Sequence, residues 1–248
     1  MRFRRLLLSL VIFWLAWAFV AWAGQSPFLD WQRLKNPILA YPDWSIKDAC
    51  LTWHEGNFYC FFSAFYWDRG EVRSHVVGVR SPDLVRWSAP LFNWSGAELG
   101  WRGACSPDIT RLSDVWYLTF NRWGDEPLNQ LFYATSCDLI HWETYLPLAT
   151  NLTNGIRAID AALACHKGIY YLAYKERQTP TLATAEVVGT SGWRKLGQLE
   201  GAENYQLLLL DGHLYLLWTK MDKDDHHPCI GRMKGSGDDP EDWLAWQG

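Results

Sequence analysis

GNFYCFFSA (56–64), DVWYLTFNR (114–122), GIYYLAYKE (168–176) and GHLYLLWTK (212–220) are four versions of one stretch. Each follows a short polar turn: His54-Glu55-Gly56, Leu112-Ser113-Asp114, His166-Lys167-Gly168 and Leu210-Asp211-Gly212. Another apolar run precedes every turn. Aromatic and β-branched runs of five to eight residues, separated by Gly/Asp turns, predict antiparallel strands. Anchored on Tyr59, Tyr117, Tyr171 and Tyr215, a third run follows in each unit: HVVGVRS, NQLFYATS, TLATAEV and CIGRMKG. A tryptophan then lies 28, 25, 22 and 28 residues beyond the tyrosine, at Trp87, Trp142, Trp193 and Trp243. Runs such as SAPLFNW and ETYLPLA supply a fourth strand. Recurrence at a fixed period marks a repeat fold. The expected class is all-β, a β-propeller of four-stranded antiparallel blades around a channel, with four repeats in the chain.

The links between third and fourth strands repeat as well, SPDLVRW (81–87) and SCDLIHW (136–142). Asp83 and Asp138 suit turns, because a short carboxylate accepts hydrogen bonds from nearby backbone N–H groups. Trp87 and Trp142 are placed to pack between blades. In an antiparallel blade the 3–4 links share one face of the ring with the 1–2 turns. The 2–3 and 4–1 links share the other, and chemistry is expected there.

First strands begin beside the channel, so their leading residues converge. Counting eleven back from the anchoring tyrosines gives Asp48, Ser106, Asp160 and Asn204, with Glu203 one residue out of register in the fourth unit. An acid needed for folding would recur in every copy and be of one kind. Two Asp and one Glu opening apolar strands, where an unpaired charge is costly, point instead to function. Asp108 follows Pro107 deeper along its strand and reads as structural.

Asp48, Asp160 and Glu203 at the starts of the first, third and fourth blades, together with SPDIT…WYL and the S-x-D-L-x-x-W links, resemble glycoside hydrolase family 43 and its five-bladed propeller relatives. The similarity covers roughly residues 35 to 245. The resemblance implies an inverting glycosidase on poly- or oligosaccharides, of arabinoside or xyloside type. Asp48 matches the general base, Glu203 the general acid, and Asp160 the acid that tunes and orients the donor. A retaining fructosidase and a carbohydrate-binding propeller without turnover are the other readings. The chain departs from the family where Ala49 and Ala161 follow the aspartates in place of Pro, and where Glu203-Asn204-Tyr205 replaces Glu-Gly-Pro. It also shows four units where the family has five. Early DWQRLKNPIL (30–39) resembles a fourth strand that would close the ring by pairing with the last blade. A four-bladed ring and a chain lacking its fifth blade are the remaining expectations.

On the acid-bearing face, the links supply Phe65, Tyr66, Trp67, Trp101, Arg102, Trp123, Arg157 and Glu176 as candidate substrate contacts. Aromatic rings stack on the apolar faces of sugars, while Arg and Glu bond hydroxyls. Trp67 and Trp123 are the expected sugar platform. No cofactor is required, and no metal ligand set is identified. Some family relatives carry a structural cation in the channel, which no residue here specifies. Asp222–His227 reads as a solvated loop.

Of 248 residues, 17 are Trp, and the net charge is −4 with no basic tract, which excludes nucleic acid as partner. Arg2, Arg4 and Arg5 precede an uncharged apolar run from Leu6 to Ala21-Trp22-Ala23. That is the layout of an export signal, so residues 1–23 are expected to be a leader, or a membrane anchor if uncleaved, ahead of a propeller over 24–248. A secreted or periplasmic monomer is expected. Six cysteines lack CxxC spacing, and most fall within apolar strand patterns, as buried free thiols do.

Overall fold

The computed structural model describes residues 29–124, 130–199, 203–222 and 225–234, with Asp242 and Trp246–Gln247. The expected leader and Trp243 lie outside the described residues. Among these residues, sixteen strands form four antiparallel blades. The first is β1 (Ser45–His54), β2 (Asn57–Asp68), β3 (Glu71–Ser81) and β4 (Phe92–Trp94). The second is β5 (Gly103–Leu112), β6 (Val115–Trp123), β7 (Leu131–Ser136) and β8 (Leu146–Pro147). The third is β9 (Ala158–His166), β10 (Ile169–Glu176), β11 (Thr179–Ala185) and β12 (Arg194–Gln198). The fourth is β13 (Glu203–Leu210), β14 (His213–Asp222), β15 (Asp225–Met233) and β16 (Trp246–Gln247).

The repeated turns have the geometry their residues allow. Glu55-Gly56, Lys167-Gly168 and Asp211-Gly212 all adopt positive φ, as a two-residue hairpin matched to strand twist requires. Asp83 and Asp138 act as foreseen. Oδ1 of Asp83 accepts the N–H groups of Val85 and Arg86, and Oδ1 of Asp138 those of Ile140 and His141. The backbone bonds hold Asp83 down at about 2, and the His141 ring, 2.7 Å from Oδ2, together with the backbone bonds holds Asp138 below the ordinary carboxylate range.

Innermost strands pack in the order β1, β5, β9, β13. Side chains between successive blades fill three cores. Phe61 and Val76 meet Leu118 and Phe120 between the first and second. Trp142 stands edge-on to Phe61 and Trp94 in this core, the packing role expected of it. Leu131 and Leu148 meet Leu163 and Leu172 between the second and third blades, and Leu182 meets Leu207 and Leu216 between the third and fourth. The first two blades also touch through a parallel bridge, Ser74 to Gly103, where a Cβ on Gly103 would lie 2.3 Å from the Ser74 carbonyl oxygen. Only glycine permits that approach.

Residues 30–39 do not form a strand of the last blade. β16 occupies that place, and Leu39, Tyr41 and Trp44 instead pack against Phe62 and Val77 on the outer face of the first blade. Trp87 belongs to this cover, donating Nε1–H to the Ile38 carbonyl at 2.8 Å, and does not lie between two blades. The fourth blade has no such cover among the described residues. All six cysteines are free thiols.

Candidate active site

Each innermost strand carries one residue held in the left-handed region: Asp48 (φ 51), Ser106 (φ 54), Asp160 (φ 58) and Asn204 (φ 58). These are the four positions of the eleven-residue count. The register of each inner hairpin shifts there, so every blade has a bulge at the mouth of the channel. Holding non-glycine residues in this conformation costs on the order of 1 kcal/mol apiece, and such strain gathers at functional sites. A bulge re-aims the side chains beside it, and all four of these residues line one cavity.

Second strands brace these bulges from one blade to the next. Four residues beyond each anchoring tyrosine stand Ser63, Asn121, Lys175 and Thr219. Ser63 Oγ accepts the Ser106 N–H of the next blade at 2.8 Å and donates to Asp48 Oδ2 at 3.0 Å. Asn121 Oδ1 accepts the Asp160 N–H of the next blade at 3.2 Å. Lys175 breaks the pattern, since an ammonium accepts nothing. The Asn204 N–H goes instead to Asp160 Oδ2 at 3.1 Å, and Lys175 Nζ donates to Glu203 Oε2 at 2.9 Å.

Asp48, Asp160 and Glu203 line one cavity of about 160 Å³, with Lys47, Phe65, Trp123 and Arg157 in the same wall. Three carboxyl groups separated by more than forty residues in each step therefore meet. Asp160 is 7% exposed, and burial pushes its carboxyl above the ordinary range. The Asn204 N–H and Ser106 hydroxyl oppose that rise, while the nearby Asp48 and Glu203 carboxyls add to it. A second cavity of about 230 Å³ continues from Asp48, Ser106, Asp160 and Asn204 down the channel, past the buried Asp108, and over Leu217, Thr219 and Pro228 of the fourth blade. Among the described residues, no three His, Cys, Asp or Glu side chains are arranged so that they could hold a metal ion.

No protein-family model matches the chain, and no curated protein sequence does. Solved structures do. A family 117 glycoside hydrolase from the marine bacterium Zobellia galactanivorans superposes with a TM-score of 0.60 at 14% identity, over 84% of this chain and 71% of that one. The catalytic domain of a family 62 α-L-arabinofuranosidase from Coprinopsis cinerea gives 0.58 at 15% identity, over 84% and 68%. The family 32 β-fructofuranosidase of Bombyx mori gives 0.62 at 12% identity, over 80% of this chain and 50% of its own length. The fold is that of the β-propeller glycoside hydrolases.

Within this propeller the predicted substrate contacts separate into two groups. Phe65, Trp123 and Arg157 line the cavity of the three acids. Phe65 and Trp123 meet edge to face at 5.5 Å, with Lys47 over the first ring and Arg102 over the second. The others lie elsewhere. Trp67 is 75% exposed at the far end of the β2–β3 hairpin, opposite Val72, and does not join Trp123 in a platform. Trp101 is 8% exposed, packed against Phe132 and Tyr145 in the core between the first two blades. Glu176 faces away from the acids, bound by Lys195 and Tyr174. Tyr66 is tied to His75. Ser63, Asn121 and Lys175 were not singled out from the sequence, and the fixed offset from the tyrosines is the signal that finds them.

Proposed function

We propose that this chain is an exported glycoside hydrolase that cleaves poly- or oligosaccharides by inversion. The observation that carries the reading is the meeting of Asp48, Asp160 and Glu203 on one cavity, supplied by three blades. Inversion needs two carboxyl groups across the sugar, about 6.5–9.5 Å apart, with room for a water between them. Asp48 on β1 and Glu203 on β13 come from the two ends of the packing order, so the two carboxyls reach the cavity from different blades and not from one strand. Asp48, held by Ser63, takes a proton from the attacking water. The water oxygen bonds the anomeric carbon as its bond to the leaving oxygen breaks, and Glu203 gives that oxygen a proton. Asp160, buried between them, orients the donor's strand through the Asn204 N–H. Phe65 and Trp123 offer ring edges and faces to the sugar. Arabinofuranosidases and a xylosidase among the structural neighbours support an arabinoside or xyloside at the reacting position.

The test is hydrolysis of an aryl α-L-arabinofuranoside, β-xyloside and β-fructofuranoside panel, with the first-formed anomer read by proton NMR. Asp48→Asn and Glu203→Gln are expected to lower kcat at least a thousandfold while the fold is kept. A protein that binds these sugars without turning any over is a lectin-like propeller, and the hydrolase reading then fails. Retention of the anomer would assign the fructosidase type of mechanism instead.

A further inference from the structure

The Tyr+4 positions of the second strands follow a rule in the first two blades: a small polar side chain accepts the backbone N–H of the next blade's left-handed residue. The third blade has a lysine at this place. Its side chain is 9% exposed, it lies opposite Ile159 in the sheet, and its partner is Glu203. Burying an ammonium costs several kcal/mol unless a counter-charge compensates, so ring packing alone selects against it. Ser63 and Asn121 show that the ring is held together without a cation here.

We propose that Lys175 is a positioning residue, holding the Glu203 carboxyl at the cavity wall and stabilising the carboxylate that forms when Glu203 gives up its proton. The inference rests on the reading of Glu203 as proton donor. Charge developing on a donor is best met by a fixed, desolvated cation already in place. The other charged and titratable groups around Glu203 come from each neighbouring element. They are Asp160 on β9, Arg157 ahead of it, Lys47 and Asp48 on β1, and Tyr205 on β13. Among the described residues, Lys175 is the cation within ion-pair distance of Glu203.

The repeat supplies its own control. Lys175→Asn installs the residue used at position 121, which the ring already tolerates, and Lys175→Arg keeps the cation. Lys175→Asn is expected to lower kcat tenfold or more with KM little changed, and to move the alkaline limb of the pH–rate profile up by about one unit or more. Lys175→Arg should restore the limb to its wild-type position. An unmoved limb in a folded Lys175→Asn protein overturns the proposal. Carbon-13 NMR titration of the Glu203 carboxyl in wild type and Lys175→Asn reads the same coupling without turnover. An inert wild type whose Glu203 signal still titrates higher in the variant defeats the hydrolase reading and leaves the ion-pair assignment standing, whereas an unmoved signal defeats the assignment itself.

Discussion

The third and fourth blades are written in the same repeat, yet they live in different surroundings. β9, β10 and β11 are buried on both faces nearly throughout. β13, β14 and β15 are buried on one face only, with Tyr205, Leu207, Leu214, Leu216 and Met233 packed against the third blade while Leu210 and Ile230 are 51% and 55% exposed. The fourth blade is no less apolar in sequence. NYQLLLL (204–210) carries larger side chains than AIDAALACH (158–166). Burial here is therefore a property of a blade's place in the ring, and a second face is closed only where something packs on it. The first blade illustrates the point, because Leu39, Tyr41 and Trp44 from its own chain cover the face that no other blade meets.

Core truncation should give the widest separation between the two blades. Leu172 is fully buried, and Leu172→Ala is expected to cost about 2–5 kcal/mol in urea unfolding. Ile230→Ala should stay within about 0.5 kcal/mol, the range for exposed sites. Equal losses at the two positions would break the comparison. Amide exchange sharpens it further: β13 to β15 should open at lower free energy than β9 to β11, because they bury less apolar surface.

A pH experiment asks whether the channel wall shared with the fourth blade is dry. Asp108 on β5 is held above the ordinary carboxylate range by burial, with the Ile109 N–H and the Gln206 side chain opposing the rise. The folded state thus keeps its proton to higher pH than the unfolded chain, where Asp titrates near 3.9. Its contribution to stability is fully present below that value and is lost as pH rises through the folded one. Asp108→Asn should therefore be more stable than wild type at neutral pH, with the gap growing upward from about pH 4 and then levelling. A gap that is flat with pH would show the carboxyl to be hydrated, with the fourth blade standing off from β5.

The strands and turns were legible in the sequence because both signals are local: alternation of apolar residues, and Gly or Asp at positive φ. The meeting of Asp48, Asp160 and Glu203 was legible because the repeat converts a residue count into an angle around the ring. What the count could not reveal was which way a given aromatic faces. Trp101 and Trp123 both sit beside an arginine near a link, yet one fills the core and the other lines the cavity. Nor could it show Lys175, whose partner lies on another blade, or the course of residues 30–39. That segment has the composition of a strand, and the sheet edge it was expected to reach is taken by Trp246–Gln247.

The smallest expected effect bears most directly on the open face. Ile230 stands on β15 opposite Leu217, on the side of the fourth blade turned away from the third. If water covers that side, Ile230→Lys loses little burial, and its ammonium stays solvated on a flexible stem. Thermal stability should then move by no more than about 0.5 kcal/mol, and binding of an apolar fluorescent dye should fall as the patch is interrupted. If another β unit or a second copy of the chain covers the face in solution, the same substitution buries an unpaired charge. It would cost several kcal/mol and shift the protein's sedimentation. The size of this one effect thus decides whether the open face of the fourth blade is bare or covered in solution.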